Sequence, residues 1–312
     1  MKKKRTSFSP RTKNIYSQYD KLPKGVAKDN LVDGALVMEG GAFRGTYTSG
    51  VIDALMENDL NFALTLGCSA GAMNGYCYLS GRIGKAGRVN LIYRHDSRYV
   101  GLAAYRKNKG IIGFDFLFHE LEEREPAVKS HFEDPKRRLL VVATRLEDGK
   151  AVYFEKGKDD LRKGIQASAS MPYVSKPVLI NGEHYLDGGV ACKVPYEEAI
   201  RLGAKKLLIV LTREKGYRKK PGKNVHFNAE MVYGKKYKTF AEEVAKVSEM
   251  TNHQYDEIDK MGEEGKAFVL YPSTPVNIDR LEPNMEKLGS LYFQGYHDTL
   301  NALPKIRAYL AK

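Results

Sequence analysis

Residues 62–75 read FALTLGCSAGAMNG, an apolar run followed by the pattern G-x-S-x-G and then by small residues. The apolar run at residues 62–66 predicts a buried strand, and the small residues after Ser69 predict a helix packed closely on a sheet. Gly67 and Gly71 flank Ser69 as a sharp strand-to-helix turn requires, because larger side chains would collide there. Such short Gly/Ser patterns also occur in ordinary turns, so the stretch alone leaves the role of Ser69 open.

The unit before this stretch has the same organisation. Residues 35–39 (ALVME) are followed by a glycine loop at residues 40–45 (GGAFRG) and then by an amphipathic segment. Further apolar runs separate helical segments downstream, at residues 138–144, 206–212 and 267–272. Apolar strands that alternate with helices predict an α/β fold, a three-layer α/β/α arrangement around a mainly parallel central sheet.

Three regions follow from this pattern. Residues 1–30 are polar and basic, and we expect a loosely ordered arm. Residues 31–215 carry the alternating strand and helix pattern of one α/β domain, in which we look for a catalytic site, and residues 216–312 carry long amphipathic helices that we expect to pack on the same domain. An aromatic stretch at residues 113–121 (GFDFLFHEL) is typical of either core packing or the lining of a site.

Composition restricts the class of protein. Of 312 residues, 42% are hydrophobic and 29% charged, as in ordinary soluble domains, and no apolar run approaches the roughly 18 residues of a membrane span. The basic N-terminal residues precede no apolar core, so they do not form a secretory signal. Three cysteines without metal-ligand spacing suit a reducing compartment. We therefore expect a cytoplasmic protein.

The chain is strongly basic. Lys and Arg number 51 against 38 Asp and Glu, a formal net charge of +13, with clusters at residues 2–5, 218–223 and 235–238. An anionic membrane surface and nucleic acid are both partners that such a charge could attract. A basic surface that only keeps the protein soluble is the alternative, because charge by itself specifies no partner.

The glycine loop at residues 40–45 stands between a predicted strand and a predicted helix. Such a loop directs backbone N–H groups toward one point beside the positive end of a helix dipole, where a phosphate or a developing oxyanion could bind. It does not fit G-x-G-x-x-G, and it lacks the Lys-Ser/Thr ending of a P-loop, so a nucleotide site is disfavoured. A third glycine motif, Asp187-Gly188-Gly189, is typical of a β-turn but would also supply a base for a serine nucleophile.

Together the three motifs resemble, in their order along the chain, those of the patatin-like phospholipase family, most closely its bacterial branch. The resemblance extends from about residue 35 to about residue 212. It implies a Ser69–Asp187 catalytic dyad without histidine. It also implies an oxyanion hole from the backbone N–H groups of Gly40, Gly41 and Ala42. The supporting residues would be Arg44, Gly45, Gly67, Gly71, Gly188 and Gly189. Many family members have a third glycine where this chain has Ala42, and we expect Ala42 to serve if its φ is negative.

The resemblance implies a serine esterase that hydrolyses (lyso)phospholipids or related lipids through an acyl-enzyme, without metal or cofactor. It gives the chain a lipid or ester substrate. The basic clusters add the expectation of peripheral contact with the inner face of an anionic membrane. We expect no nucleic-acid partner, because the chain has no recognisable nucleic-acid motif. The oligomeric state stays open. One alternative is an ordinary Ser-His-Asp hydrolase that uses His297 or His184. The others are a non-catalytic module that binds phosphate or nucleic acid, and a pseudoenzyme.

Overall fold

The computed structural model describes residues 13–312, which contain ten strands and eleven α-helices. The strands are β1 (Gly25–Val26), β2 (Val32–Met38), β3 (Phe62–Cys68), β4 (Arg82–Ile83), β5 (Arg138–Arg145), β6 (Ala151–Glu155), β7 (Val178–Ile180), β8 (Glu183–Asp187), β9 (Leu207–Val210) and β10 (Phe268–Leu270). The helices are α1 (Thr46–Glu57), α2 (Ala70–Leu79), α3 (Lys85–Tyr93), α4 (Leu102–Asn108), α5 (Leu121–Arg124), α6 (Lys129–Glu133), α7 (Leu161–Ser168), α8 (Tyr196–Arg201), α9 (Val225–Ala229), α10 (Lys238–Glu263) and α11 (Met285–Ala311). Each apolar run singled out in the sequence overlaps one of these strands.

The central sheet has eight strands in the order β10-β9-β2-β3-β5-β8-β7, with β6 also paired to β5. The strands from β10 to β5 are parallel to one another, whereas β8, β7 and β6 join in antiparallel fashion. Consecutive βα units place parallel strands side by side, so β2 and β3 become neighbours at the centre of the sheet. The predicted mixed α/β fold with a mainly parallel sheet is confirmed.

Both faces of the sheet are covered, because alternate side chains of each central strand point to opposite sides. On β2, Leu36 and Met38 pack in one core with residues of α1, α2 and α11. Ala35 and Val37 pack in a second core with residues of α8 and α10. Both faces of β2 and β3 are apolar because both are buried, which explains why these strands appear in the sequence as continuous apolar runs.

Residues 216–312 belong to the same folded body. They supply β10 at the edge of the sheet, α10 in one helical layer and α11 in the other. Helix α11 crosses α1 with little space between the backbones: a Cβ added at Gly50 would lie 2.0 Å from the carbonyl oxygen of Tyr292. None of the helices in the described chain, α10 and α11 included, carries an apolar stretch of the kind that crosses a bilayer.

The expected loose arm at residues 1–30 is only partly described, since residues 1–12 and the basic cluster at residues 2–5 lie outside the described residues. The remainder is packed against the body. Tyr16 is buried, its N–H donates to the carbonyl of Leu91 (2.9 Å), and its ring contacts Phe293. The described part of the arm is therefore held on the body, because Tyr16 packs against α3 and α11.

Candidate active site

Ser69 lies on a sharp turn between β3, which ends at Cys68, and α2, which begins at Ala70. Its φ of 51° and ψ of −115° place a non-glycine residue in a strained region of backbone space. A Cβ added at Gly67 would lie 2.4 Å from the backbone of Gly71, and one added at Gly71 would lie 2.3 Å from the carbonyl oxygen of Met38. The small neighbours are therefore required by close backbone approach, as the sequence predicted.

Asp187 is brought to this turn by the strand order, because β8 pairs with β5 and β5 pairs with β3. The hydroxyl of Ser69 donates to Oδ2 of Asp187 across 2.7 Å, and the N–H of Gly189 donates to Oδ1 across 2.8 Å. Burial raises the pKa of the Asp187 carboxyl to about 6 despite these hydrogen bonds. The carboxylate is therefore held in position by one backbone donor and is more basic than an exposed aspartate.

The glycine loop lies between β2 and α1, and it corrects two expectations. The N–H of Gly40 donates to the carbonyl of Lys193 (3.1 Å), so Gly40 is not available as an oxyanion donor. The N–H groups of Gly41 and Ala42 have no hydrogen-bond partner among residues 13–312, and both residues line the cleft beside Ser69. The φ of Ala42 is +49°, not negative as expected, so the loop forces an alanine into the left-handed region.

Two supporting residues on this side were predicted from the sequence. A Cβ at Gly45 would lie 2.6 Å from that of Ala70, so Gly45 lets the loop pack against the start of α2. Arg44 is largely buried, and its Nη1 reaches the carbonyl of Ile278 at 3.4 Å. The Nε of Arg44 is buried without a hydrogen-bond partner among the described residues. Burial lowers the pKa of Arg44, and the positive charge of Arg213 adds a smaller decrease.

The residue that precedes the loop, Glu39, anchors it in a way that the sequence analysis missed. Glu39 is buried and accepts hydrogen bonds from Lys193, from the hydroxyl of Tyr255 and from the backbone and side chain of Thr212. Burial alone would raise the pKa of Glu39, but the charge and hydrogen bond of Lys193, together with the hydrogen bonds from Tyr255 and Thr212, outweigh burial and lower the pKa. A lone acidic residue at the end of an apolar strand, directly before two glycines, was the available signal.

Two further hydroxyls hold the backbone of Ser69 and of Asp187, and the sequence analysis missed both. Oγ of Ser168, at the end of α7, accepts the backbone N–H of Ser69 (2.8 Å). The hydroxyl of Thr144 on β5 donates to the carbonyl of Asp187 (2.8 Å). Gly188 fits beside β5 because a Cβ there would lie 2.2 Å from the carbonyl oxygen of Val142. The strained turn is therefore fixed from several elements, as a strained backbone requires.

An apolar cleft of about 910 Å³ opens on one side of Ser69. Its walls come from α2, α3, α7 and the aromatic stretch predicted at residues 113–121. The apolar lining residues include Met73, Val89, Ile112, Leu117, Phe118, Leu121 and Ile165. Both alternatives for the aromatic stretch are therefore realised, since Phe114 and Phe116 are core residues while Leu117 and Phe118 line the cleft. The space suits a hydrocarbon chain.

A second cleft, of about 980 Å³, opens on the other side of Ser69 and is basic. Arg44, Lys193, Lys219 and Arg280 line it, and Asp187 is the acidic residue in its wall. Lys193 is paired with Glu39, but no ion pair of Arg44, Lys219 or Arg280 occurs among the described residues. Burial is the main cause that lowers the pKa of Lys219 to about 7, and the positive charges of Lys193, Arg280 and Arg44 lower it further. Arg44 and Arg280 would hold an anion, and the charge of that anion would favour the protonated form of Lys219 beside it.

The two candidate histidines lie elsewhere. His184 pairs with Glu147 (Nδ1 to Oε1, 3.0 Å), and the ring of His297 stacks against Phe293 on α11. Neither cleft has a histidine in its wall within the described part of the chain. Across residues 13–312 no three His, Cys, Asp or Glu side chains form a group suited to a metal ion.

Comparison with known proteins identifies matches for both parts of the chain. A family model described as "Patatin-like phospholipase" matches residues 36–200, and one described as "Domain of unknown function (DUF6363)" matches residues 237–311. The "Uncharacterized protein YjjU" of Escherichia coli (strain K12) is 32% identical over 57% of this chain and 51% of its own length. The "Probable lipid hydrolase 463L" of Invertebrate iridescent virus 6 is 27% identical over 55% of this chain and 64% of its own length.

The matches therefore span between half and two thirds of these relatives' lengths. Among solved structures, VipD from Legionella pneumophila aligns over 98% of this chain and 72% of its own, with 14% identity and a TM-score of 0.47. The family match covers more than half of the chain and includes the loop at residues 40–45, the turn at Ser69 and the Asp187 motif. This protein belongs to the patatin-like phospholipase family.

Proposed function

We propose that this protein is a serine lipid acyl hydrolase in which Ser69 is the nucleophile and Asp187 the base. The observation that carries the proposal is the 2.7 Å hydrogen bond from the Ser69 hydroxyl to a buried carboxylate, at the point where an apolar and a basic cleft meet. A serine is a weak nucleophile until a base accepts its proton, and Asp187 is the base within reach.

The reaction proceeds in two steps. Asp187 accepts the proton of Ser69 Oγ as that oxygen attacks the ester carbonyl, and the N–H groups of Gly41 and Ala42 stabilise the oxyanion. Each such donor contributes on the order of 3 kcal/mol to transition-state stabilisation. The alcohol leaves with the proton held by Asp187. Asp187 then deprotonates a water molecule that hydrolyses the acyl-enzyme, which restores Ser69.

The clefts orient the substrate. The acyl chain lies in the apolar cleft, where burial of each methylene contributes about 0.8 kcal/mol. The alcohol portion lies in the basic cleft, beside Arg44, Lys219 and Arg280. Three cations without ion-pair partners in residues 13–312 favour an alcohol that bears an anionic group, as a phospholipid or lysophospholipid does. We place the lipid acyl group in the apolar cleft, where the charged lining residue Lys85 is neutralised by its ion pair with Glu122.

The test is hydrolysis of p-nitrophenyl butyrate by the native protein and by Ser69→Ala and Asp187→Asn. We expect both variants to lose at least 1,000-fold in kcat/KM, on the order found when a nucleophile or its base is removed. Ser290→Ala and Asp33→Asn, which replace exposed residues of the same types, are the matched controls and should keep native activity. A fluorophosphonate probe should label the native protein and not Ser69→Ala.

Several outcomes would reject the proposal. Full activity in Ser69→Ala would exclude this serine, and full activity in Asp187→Asn would exclude the dyad. A protein without esterase activity that binds nucleic acid in a salt-sensitive manner would instead support the non-catalytic alternative. Loss of activity in His184→Ala or His297→Ala would favour a Ser-His-Asp arrangement.

A further inference from the structure

Residues 225–238 form a surface segment near the start of the C-terminal extension, by which we mean residues 216–312. We name it the 225–238 segment. It comprises α9, a single π-helical turn (Glu230–Gly234) and the residues that lead into α10. Phe227, Met231 and Val232 are exposed over 64%, 67% and 56% of their surface. Three large apolar side chains this exposed in one short segment form a patch, and such patches mark interaction sites.

The segment is well packed on the rest of the protein, so poor packing does not explain why these side chains are exposed. Its opposite face is buried: Ala229 and Tyr233 pack with Leu186 and Val190, and the Tyr233 ring lies 5.0 Å from that of Phe240. The position of the segment is therefore fixed by its own core contacts. The outer apolar face is an additional feature that the fold of residues 13–312 does not use.

The surroundings of the patch are basic. Exposed lysines stand on both sides of it along the chain, namely Lys220, Lys223, Lys235, Lys236 and Lys238. Glu230 is the one acidic residue between positions 219 and 238. Apolar side chains bordered by lysines are the composition of a surface that inserts into the interface of an anionic bilayer, where each lysine contributes about 1 kcal/mol. A protein partner would not require both features together.

The patch lies at the mouth of the candidate active site. Gly222 and Val225 line the basic cleft, so the segment begins in the wall of that cleft. Tyr173 also lines the cleft and is 49% exposed, and its N–H donates to the hydroxyl of Tyr233 (2.8 Å). An exposed tyrosine beside apolar residues suits the headgroup region of a membrane.

We propose that the 225–238 segment docks this protein on an anionic lipid surface. Phe227, Met231 and Val232 enter the boundary between headgroups and acyl chains, while the flanking lysines contact anionic headgroups. Docking in this way sets the mouth of the basic cleft against the bilayer, from which a substrate can enter. The link between docking and catalysis rests on the proposed lipid hydrolase function, whereas docking itself does not.

The experiment measures co-sedimentation with vesicles, using Ser69→Ala protein so that the lipids are not consumed. Vesicles of phosphatidylcholine are compared with vesicles that also contain phosphatidylglycerol. We expect binding only to the anionic vesicles, and a Phe227→Ser, Met231→Ser double variant should bind them about tenfold more weakly or worse. A Lys235→Gln, Lys236→Gln, Lys238→Gln variant should lose binding and its salt dependence. Ile200→Ser, which replaces a side chain 48% exposed on α8, is the matched control and should bind normally.

A second measurement separates the two proposals. The same substitutions are made in protein that retains Ser69, and hydrolysis of a soluble short-chain ester is measured. All of them should retain that activity, because none of the substituted residues lines either cleft. Vesicle binding without any esterase activity would contradict the proposed function and leave docking supported. Equal binding by the double variant and Ile200→Ser would overturn docking. A native dimer that the double variant dissociates, with vesicle binding unchanged, would identify a self-association surface and also overturn it.

Discussion

At the scale of residues, two strained positions line both clefts of the candidate site. Ser69 and Ala42 both have positive φ, at 51° and 49°. Such conformations cost of order 1 to 3 kcal/mol each and persist only where surrounding contacts fix them. The strain at Ser69 could be predicted from the glycines around it. The strain at Ala42 could not, because alanine is common in ordinary helices and loops and carries no signal of positive φ.

Replacing Ala42 by glycine should stabilise the protein. Glycine adopts a φ of +49° without steric cost, and this gain exceeds the entropy that glycine adds to the unfolded chain. We expect the free energy of unfolding in denaturant to rise by about 0.5 to 1 kcal/mol. The control is Ala308→Gly in α11, which should lower it by up to about 1 kcal/mol. Destabilisation by both variants would show that the loop does not strain Ala42.

The rate of ester hydrolysis should depend on the protonation of Asp187. Burial raises the pKa of this carboxyl to about 6, and only the deprotonated form can accept the Ser69 proton. We therefore expect kcat/KM for a neutral soluble ester to be constant above about pH 7 and to fall tenfold per pH unit below about pH 6. Initial rates from pH 4 to pH 9 measure this. A midpoint near 3.9, the value of an exposed aspartate, would contradict a buried base.

At the scale of elements, glycines set the distance between α1 and α11. A Cβ at Gly295 would lie 2.1 Å from the carbonyl oxygen of Tyr47, as close as the contact of Gly50 with α11. The hydroxyl of Tyr292 donates to the buried carboxylate of Asp53 (2.5 Å) across the same crossing. The sequence predicts both helices from their amphipathic pattern. It does not show that they cross one another, because the two glycines stand more than 200 residues apart.

Substitution of Gly295 by alanine should destabilise the protein although alanine is the better helix former. The added methyl group has no room beside α1, so the helices must separate or shift. We expect a loss of about 1 to 3 kcal/mol in the free energy of unfolding, measured by denaturant titration. Ser290→Ala, on the exposed face of the same helix, should change it by less than about 0.5 kcal/mol. Equal stability of the two variants would contradict the tight crossing.

At the scale of the whole molecule, the C-terminal extension completes the candidate site. Gln254 on α10 accepts the N–H groups of Lys193 and Val194 (3.1 Å each), next to the loop that Glu39 anchors. Asn252, also on α10, holds the backbone of Lys219 in the wall of the basic cleft. Both residues of the proposed dyad lie within the family match at residues 36–200, whereas two basic residues of the basic cleft, Lys219 and Arg280, lie beyond it.

The double variant Lys219→Gln, Arg280→Gln should lose selectivity for anionic substrates. Removing two charged donors should lower kcat/KM for a lysophosphatidic acid about tenfold or more, mainly through KM, because hydrogen bonds to charged groups contribute about 1.5 to 3 kcal/mol each. Hydrolysis of the matching monoacylglycerol, which lacks the phosphate, should change little. Lys246→Gln, an exposed lysine of α10, is the control. A parallel loss on both substrates would assign these residues a structural role instead.

The sequence by itself determined the strand and helix pattern, the three glycine motifs and their order, because these depend on local packing and backbone geometry. It also singled out Ser69 and Asp187 as a candidate dyad, through the order of the three motifs and their resemblance to one family. Only the tertiary structure decided which backbone N–H groups are available: that of Gly40 donates to Lys193, whereas those of Gly41 and Ala42 have no partner in residues 13–312. The same holds for the Glu39 anchor, the basic cleft and the patch around Phe227. Each of these depends on side chains distant in sequence, which meet only when the sheet order and the α1–α11 crossing bring them together.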